Sequence, residues 1–289
     1  MSDYVIITDT SADIPADVLD KGQIKLIPMV YQLNGEQCPH RNPGNWDSKA
    51  FYDKLRAGGT GSTSQISPAT YTEYFEPFLK EGKDILYISL SGGLTSTWQS
   101  SHIAATDLQE AYPERRISCI DSLAATGGQG ILVILAAKNQ EKGMSLKENA
   151  AWLEENRLHI CHWFTVDDLD FLKRGGRISP TIAWIGGKLK IKPILRIVED
   201  GTLAIPEKVR GSKAAMNTIV SKYISSGINE EYPYVFICHG DATEQAQKEK
   251  EAILEAVPQA QVTIMPMSPI IGIHTGPGVQ AVIYFGNNR

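Results

Sequence analysis

Hydroxyl side chains gather in four short stretches of the chain: DTSAD at 9–13, STSQ within GSTSQISP at 61–68, SGGLTST at 91–97 and DSLAATGGQG at 121–130. Serine and threonine next to glycine at a helix start suit a small anion. The free N–H groups and partial positive charge of a helix N-terminus favour phosphate or carboxylate there. The same residues are also preferred helix N-caps, with no ligand involved. For any one stretch capping is the simpler reading, and four stretches meeting at one edge would favour a site. Two further segments could do chemistry. HTGPG at 274–278 sets His274 beside a tight Gly-Pro-Gly path, where the ring either lines a pocket or serves the fold. DDLDFLKRGGRIS at 167–179 brings Lys173, Arg174 and Arg177 around a Gly-Gly pair, with Lys208 and Arg210 further on. It reads either as a solvated turn or as a basic patch for an acidic partner or a phosphate.

Other chemistries lose their usual support. A dinucleotide fingerprint needs G-x-G-x-x-G after the first strand, and TDTSADIP has none. No Gly-Lys-Ser/Thr and no G-x-S-x-G occur, which removes a Walker loop and a nucleophile elbow. HICHW at 159–163 clusters His and Cys, but no second cluster supplies further ligands, so a core strand is expected there and no metal. On such a strand His159 and Cys161 share one face and His162 takes the other.

These residues need a scaffold, and the first half supplies one by alternation. Strands are expected over 4–8, 24–32, 84–90 and 116–120, with helical patterns between them. Ser11 or Asp13 is expected to cap the first helix, which ends near Gly22. Ser67 and Pro68 give a cap followed by proline at the first helical position, opening a helix that runs to about Lys80. Strand, turn and helix in repetition predict a parallel sheet with helices on its faces, and ligands sit at the carboxyl edge of such sheets. From about His159 the runs become short and turn-rich. VEDGTLAI is a hairpin signal, and helices are expected near 213–225 and 242–256. We therefore expect two domains. The first is a parallel-sheet α/β/α domain over 1–157, and the second is an α+β domain over 158–289 with a mixed, largely antiparallel sheet.

The chain has 289 residues, 42% apolar and 21% charged, as in ordinary globular proteins. Its net charge of -5 argues against nucleic acid as a partner. The four cysteines form no CxxC, the first residues lack the pattern of an export signal, and ILVILAA at 131–137 is too short to span a bilayer. A cytoplasmic location is expected.

In order along the chain, TDTSADIP, STSQISP, ISLSGGLTSTWQSS, DSLAATGGQG, LKRGGRIS, KPIL, DGTL and HTGPG resemble the DegV family of bacterial fatty-acid-binding proteins. The resemblance implies a two-domain α/β protein with one long-chain fatty acid in a tunnel between the domains, and no other cofactor or metal. It implies a carrier and not a stand-alone enzyme. The carrier presents the acyl carboxylate to a separate dihydroxyacetone-kinase-like fatty acid kinase, and the acyl phosphate feeds phospholipid synthesis. Transient membrane contact would serve lipid exchange. Position by position, Thr63 falls on the carboxylate-binding hydroxyl. Thr95 or Ser96 supplies the second hydroxyl, with Ser96 standing where glycine is usual. His274 falls on the family histidine, and Arg177 and Arg210 on arginines that face the kinase or support phosphoryl transfer. The rival reading is a phosphotransferase or hydrolase acting on a small acidic substrate at the same edge.

Overall fold

The computed structural model describes residues 4–40, 46–179, 191–226, 229–287 and 289. In chain order the elements are β1 (Tyr4–Asp9), α1 (Ala16–Leu19), β2 (Ile24–Ile27), β3 (Met29–Leu33), β4 (Glu36–His40), α2 (Ser48–Arg56) and β5 (Gly61–Ser64). Next come α3 (Pro68–Lys80), β6 (Asp84–Ser89), α4 (Thr97–Ala111), β7 (Ile117–Asp121), α5 (Gly127–Glu141) and α6 (Leu146–Asn156). The remainder is β8 (Ile160–Thr165), α7 (Asp170–Arg174), β9 (Ile191–Ile197), β10 (Leu203–Arg210), α8 (Ser212–Ser225), β11 (Tyr234–His239), α9 (Thr243–Ala256), β12 (Gln261–Pro266), α10 (Pro269–Thr275) and β13 (Gln280–Phe285).

The strands of the first half form a parallel sheet in the order β2-β1-β6-β7. Every residue of β1 is buried, as expected when helices cover both faces. Val5, Ile7, Ile85 and Tyr87 meet Tyr71 and Phe75 of α3 on one face. On the other, Ile6, Leu86 and Ile88 meet the apolar side chains of α5. The later strands form a six-stranded sheet in the order β10-β9-β8-β13-β11-β12, antiparallel except for the β11–β12 pair. One face packs on α5 through Phe164, Phe236, Ala281 and Ile283. The other is covered by α8 and α9 through Ile219, Val220, Ala246 and Ile253. The layers thus run α3/α4, parallel sheet, α5/α6, mixed sheet, α8/α9. The two-sheet α/β architecture expected from the sequence is the one observed.

The helix α5 explains ILVILAA. A helix that is apolar all round belongs in an interior, and this one lies between the two sheets with Ile131–Ala137 buried throughout. Its GGQG start lets it come close to its neighbours. A Cβ at Gly127 would lie 2.8 Å from the Cys238 sulfur, and one at Gly130 2.6 Å from the Asp13 carbonyl oxygen. Among the described residues, no helix is long and apolar enough to cross a membrane.

Four local expectations change. The strand expected over 24–32 breaks at Pro28, which has no N–H to give a ladder. Beyond it β3 leaves the parallel sheet and joins β4 and β5 in an antiparallel three-stranded sheet, where Met29 N–H is taken by the Thr10 hydroxyl at 2.9 Å. STSQ is therefore largely an edge strand and not a loop. The first helix starts later than expected, after Pro15, and neither Ser11 nor Asp13 caps it. His159 sits in a 3-10 turn before β8 and stacks on Phe285, so it does not share a face with Cys161.

Two other signals hold. The hairpin turns at Asp200–Gly201, with Gly201 at φ +80° and Thr202 N–H bonded to the Asp200 carboxylate at 2.9 Å. Ser67 caps α3, accepting from Thr70 N–H at 3.1 Å, with Pro68 at the first helical position. Replacing Ser67 with Ala should lower the unfolding free energy by about 1 kcal/mol. Urea denaturation checks this, with the midpoint falling and the slope unchanged.

Candidate functional site

Between the two sheets lies a cavity of about 460 Å3. Its walls are mostly apolar. Phe164, Ala281 and Ile283 come from the mixed sheet, Leu90 and Leu94 from the end of β6, and Met267, Ile270 and Ile271 from α10 and its approach. The β8–β13 register explains the first group. Phe164 faces Ala281 and His162 faces Ile283 across the ladder, so alternate residues on both strands point into the cavity while Cys161, Val282 and Tyr284 point to the opposite core.

The polar residues of the walls include Thr63, Thr95, Ser96, Arg177 and His274. Thr63, His274 and Arg177 lie together, and Arg177 reaches the turn that carries Thr95 and Ser96. Thr63 Oγ1 lies 2.8 Å from His274 Nε2. Arg177 stands close enough to His274 to disfavour protonation of its ring, and its Nε donates to the Leu94 carbonyl at 3.2 Å. Leu94 leads directly into Thr95 and Ser96. The two Thr hydroxyls of that turn, Thr95 and Thr97, lie 2.9 Å apart.

Glycines allow these approaches. A Cβ at Gly61 would fall 2.6 Å from Ile273 Cδ1, so only glycine lets the β5 edge lie flat on α10 and bring Thr63 to His274. A Cβ at Gly175 would fall 2.3 Å from His274 Nδ1, so the Gly-Gly turn after α7 forms the floor beneath the imidazole. Gly276 and Gly278, at φ +75° and +81°, then carry the chain from α10 into β13. The tight path expected for HTGPG is present.

Burial, reinforced by the Arg177 charge, pushes the His274 pKa down to about 3. The ring is therefore neutral near pH 7. If Nε2 carries the proton, it donates to Thr63 Oγ1 and leaves the threonine O–H free to donate to an anion in the cavity. Burial likewise pulls the Arg177 pKa below its ordinary value, yet the guanidinium stays cationic. Ser96 is the N-cap of α4 but its side chain makes no capping bond, and it is exposed at the wall. The capping explanation that holds for Ser67 does not cover Ser96.

Other candidates fall elsewhere. Arg210 is exposed at the end of β10 and is not part of the cavity wall. Lys173, Arg174 and Lys208 are exposed as well, and the Arg174 guanidinium lies over the Phe171 ring at 4.5 Å. The DTSAD loop does not reach the cavity. Asp9, Thr10, Ser11 and Asp13 are buried and bonded inward, with Ser11 Oγ on Gln129 at 2.9 Å and Tyr87 O–H on Asp9 at 2.7 Å. Sequence reasoning missed α10. Its signal was present, since Ser268-Pro269 repeats the cap-then-proline pattern of Ser67-Pro68. The core strand expected at HICHW is β8, and its buried His162 also borders the cavity, with Nε2 at the Ala125 backbone. Among the described residues, no three His, Cys, Asp or Glu side chains are placed to hold a metal.

Fold and site together define an α/β protein with an apolar cavity between two sheets and a group of hydroxyl, imidazole and guanidinium side chains in its wall. The family model described as an uncharacterised protein of the DegV family matches residues 3–287. A DegV domain-containing protein of Clostridium perfringens is 38% identical over 289 residues, covering 100% of this chain and 99% of the relative. One from Lactococcus lactis is 32% identical over 279 residues, 96% of each. The solved structure of a fatty acid binding DegV family protein from Streptococcus agalactiae superposes with a TM-score of 0.88 at 26% identity, covering 100% of both chains. The structure of DegV from Bacillus subtilis, a fatty acid binding protein, gives 0.85 at 26% identity over 99% of this chain and 100% of that one. The chain belongs to the DegV family.

The burial of His274 can be checked directly. Its ring should stay neutral between pH 8 and 5 in nitrogen-15 NMR, while a solvated histidine titrates near 6.5. Gly175→Ala should displace the ring and move its resonances.

Proposed function

We propose that the protein binds one long-chain fatty acid, with the acyl chain in the cavity and the carboxylate at Thr63, Thr95, Ser96 and His274. The observation that carries this reading is the Thr63–His274 pair and the Thr95–Ser96 turn, which Arg177 contacts at the Leu94 carbonyl, in the lining of one cavity that is otherwise mostly apolar. A carboxylate accepts several bonds, and charge-assisted ones are the strong kind. At about 460 Å3 the cavity is within the size range of sites that enclose small organic ligands. Each buried methylene contributes about 0.8 kcal/mol, so tail burial is worth on the order of 10 kcal/mol before ordering costs. The structural relatives that bind fatty acids support the same ligand class. An enzyme acting on a small acidic substrate would leave the apolar walls without a role.

In this reading the protein is a carrier of two domains, divided near residue 157, with the ligand between them, and it works in the cytoplasm. The bound carboxylate is presented to a separate fatty acid kinase, and the acyl phosphate goes on to phospholipid synthesis. Arg177, in the cavity wall, faces both the carboxylate and the incoming phosphoryl group. Arg210, exposed on β10, faces the partner. Contact with a membrane surface supplies and collects the lipid.

Native mass spectrometry of protein purified from bacteria should show one co-purifying fatty acid, and an empty or nucleotide-loaded protein would count against the reading. Thr63→Val keeps the shape and removes one donor to a charged ligand, worth about 1.5 to 3 kcal/mol. Fatty-acid affinity, measured by displacement of a fluorescent fatty acid, should fall about tenfold to a hundredfold. The two arginines should separate. Arg177→Ala should weaken both lipid binding and kinase-dependent acyl-phosphate formation. Arg210→Ala should slow only the second, and a loss of affinity there would remove it from the partner-facing surface.

A further inference from the structure

The two walls of the cavity meet at a carboxylate outside it. Asp13 lies after β1, 4% exposed. Its Oδ2 accepts a hydrogen bond from the Thr126 hydroxyl, and its two oxygens lie 3.1 and 3.3 Å from Ser268 N. Thr126 lines the cavity and stands at the N-cap position of α5, without a capping bond, with φ at +50°, a conformation that a β-branched residue adopts only under constraint. Ser268 is the residue before α10, whose Ile270, Ile271, His274 and Thr275 line the same cavity. One side chain therefore ties a strained residue of one wall to the start of the helix that carries the histidine of the other.

That arrangement is costly. Among the described residues no Lys or Arg pairs with Asp13 within salt-bridge distance. The titratable groups facing it are Tyr52 from α2 and Cys238 from β11, both kept neutral by burial. Burial raises the Asp13 pKa from 3.8 to about 7, with the bonds from Thr126 and Ser268 working in the opposite direction. A neutral asparagine would fill the same space without the cost of a buried charge.

We propose that Asp13 is a positioning residue of the cavity, whose carboxylate fixes α10, and with it His274, against Thr126. The inference rests on the reading of the cavity as the ligand site. The sign of its effect on stability separates it from a residue that serves only the fold. A carboxyl raised in the folded state contributes stability that is fully present below about pH 3.8 and lost as pH rises through about 7. At pH 8 the ionised side chain therefore favours unfolding relative to a neutral isostere.

The test is Asp13→Asn in the full chain, with three readouts. Its melting temperature at pH 8 should equal or exceed that of the unaltered protein, and the pH-dependent share due to Asp13 should vanish between pH 5 and 8. The amide cannot accept at both positions, so the His274 nitrogen-15 resonances of the lipid-free protein should shift. Palmitate affinity at pH 8 should drop about tenfold or more. Thr126→Val, which removes the hydroxyl and keeps the branching, should move the same His274 resonances. Unchanged His274 resonances in both variants overturn the proposal. So does an Asp13→Asn chain that melts lower at pH 8 or fails to fold, because the carboxylate then serves the fold. If the unaltered protein binds no palmitate, the ligand reading fails, and the His274 resonances still decide the role of Asp13.

Discussion

The close packing of one glycine-started helix between two sheets is the constraint on which the structure depends. The helix α5 is buried along most of its length and touches β1 and β6 on one side and β8, β11 and β13 on the other. A Cβ at Gly128 would stand 2.1 Å from His162 Nε2 and 2.9 Å from Ile160 Cγ2, so even one methyl group would displace side chains of β8. Interiors pack at crystal-like density and do not absorb such a change cheaply. The distance between the sheets is thereby set, and the cavity is what remains beside the start of α5, where Ala125 and Thr126 form part of its wall.

The polar residues around that helix follow a division of labour that their types alone do not reveal. Ser67 caps a helix, Ser96 stands at a helix start without capping it, and Ser11 is locked to Asp9 and Gln129 in the interior. What distinguishes them is the direction of the hydroxyl, which depends on tertiary contacts. The histidines divide in the same way. His162 and His274 both line the cavity and both are held neutral by burial, with pKa values pushed to about 3. His162 faces the backbone of Ala125, whereas His274 faces a hydroxyl that can pass a bond onward.

The sequence made the two large sheets legible because β1, β6, β7, β8, β11 and β13 carry apolar runs bounded by turn residues. It concealed the three-stranded sheet because β5 reads Gly-Ser-Thr-Ser, an edge strand with no apolar face to announce it. Pro28 was visible, but its effect on strand pairing depends on which neighbour waits beyond it. The residue types drew attention to His274 and Arg177, family resemblance gave all five of Thr63, Thr95, Ser96, Arg177 and His274 a place in the site, and the fold brings these five into the lining of one cavity while leaving Arg210 outside. The apolar walls were not legible, since Leu94, Ile197, Leu203 and Ile271 look like ordinary core residues until the register is known. Asp13 looked like a helix cap for the same reason, because its true partners lie at positions 126 and 268.

The hairpin between β9 and β10 rests against the turn after β6. The Ser91 hydroxyl donates to the Gly201 carbonyl at 2.8 Å, and Gly93 is packed on the Gly201 backbone so closely that a Cβ would lie 2.6 Å from it. This contact and the shared helix α5 fasten the sheets together at separate places, so a swing of one sheet against the other would have to break both.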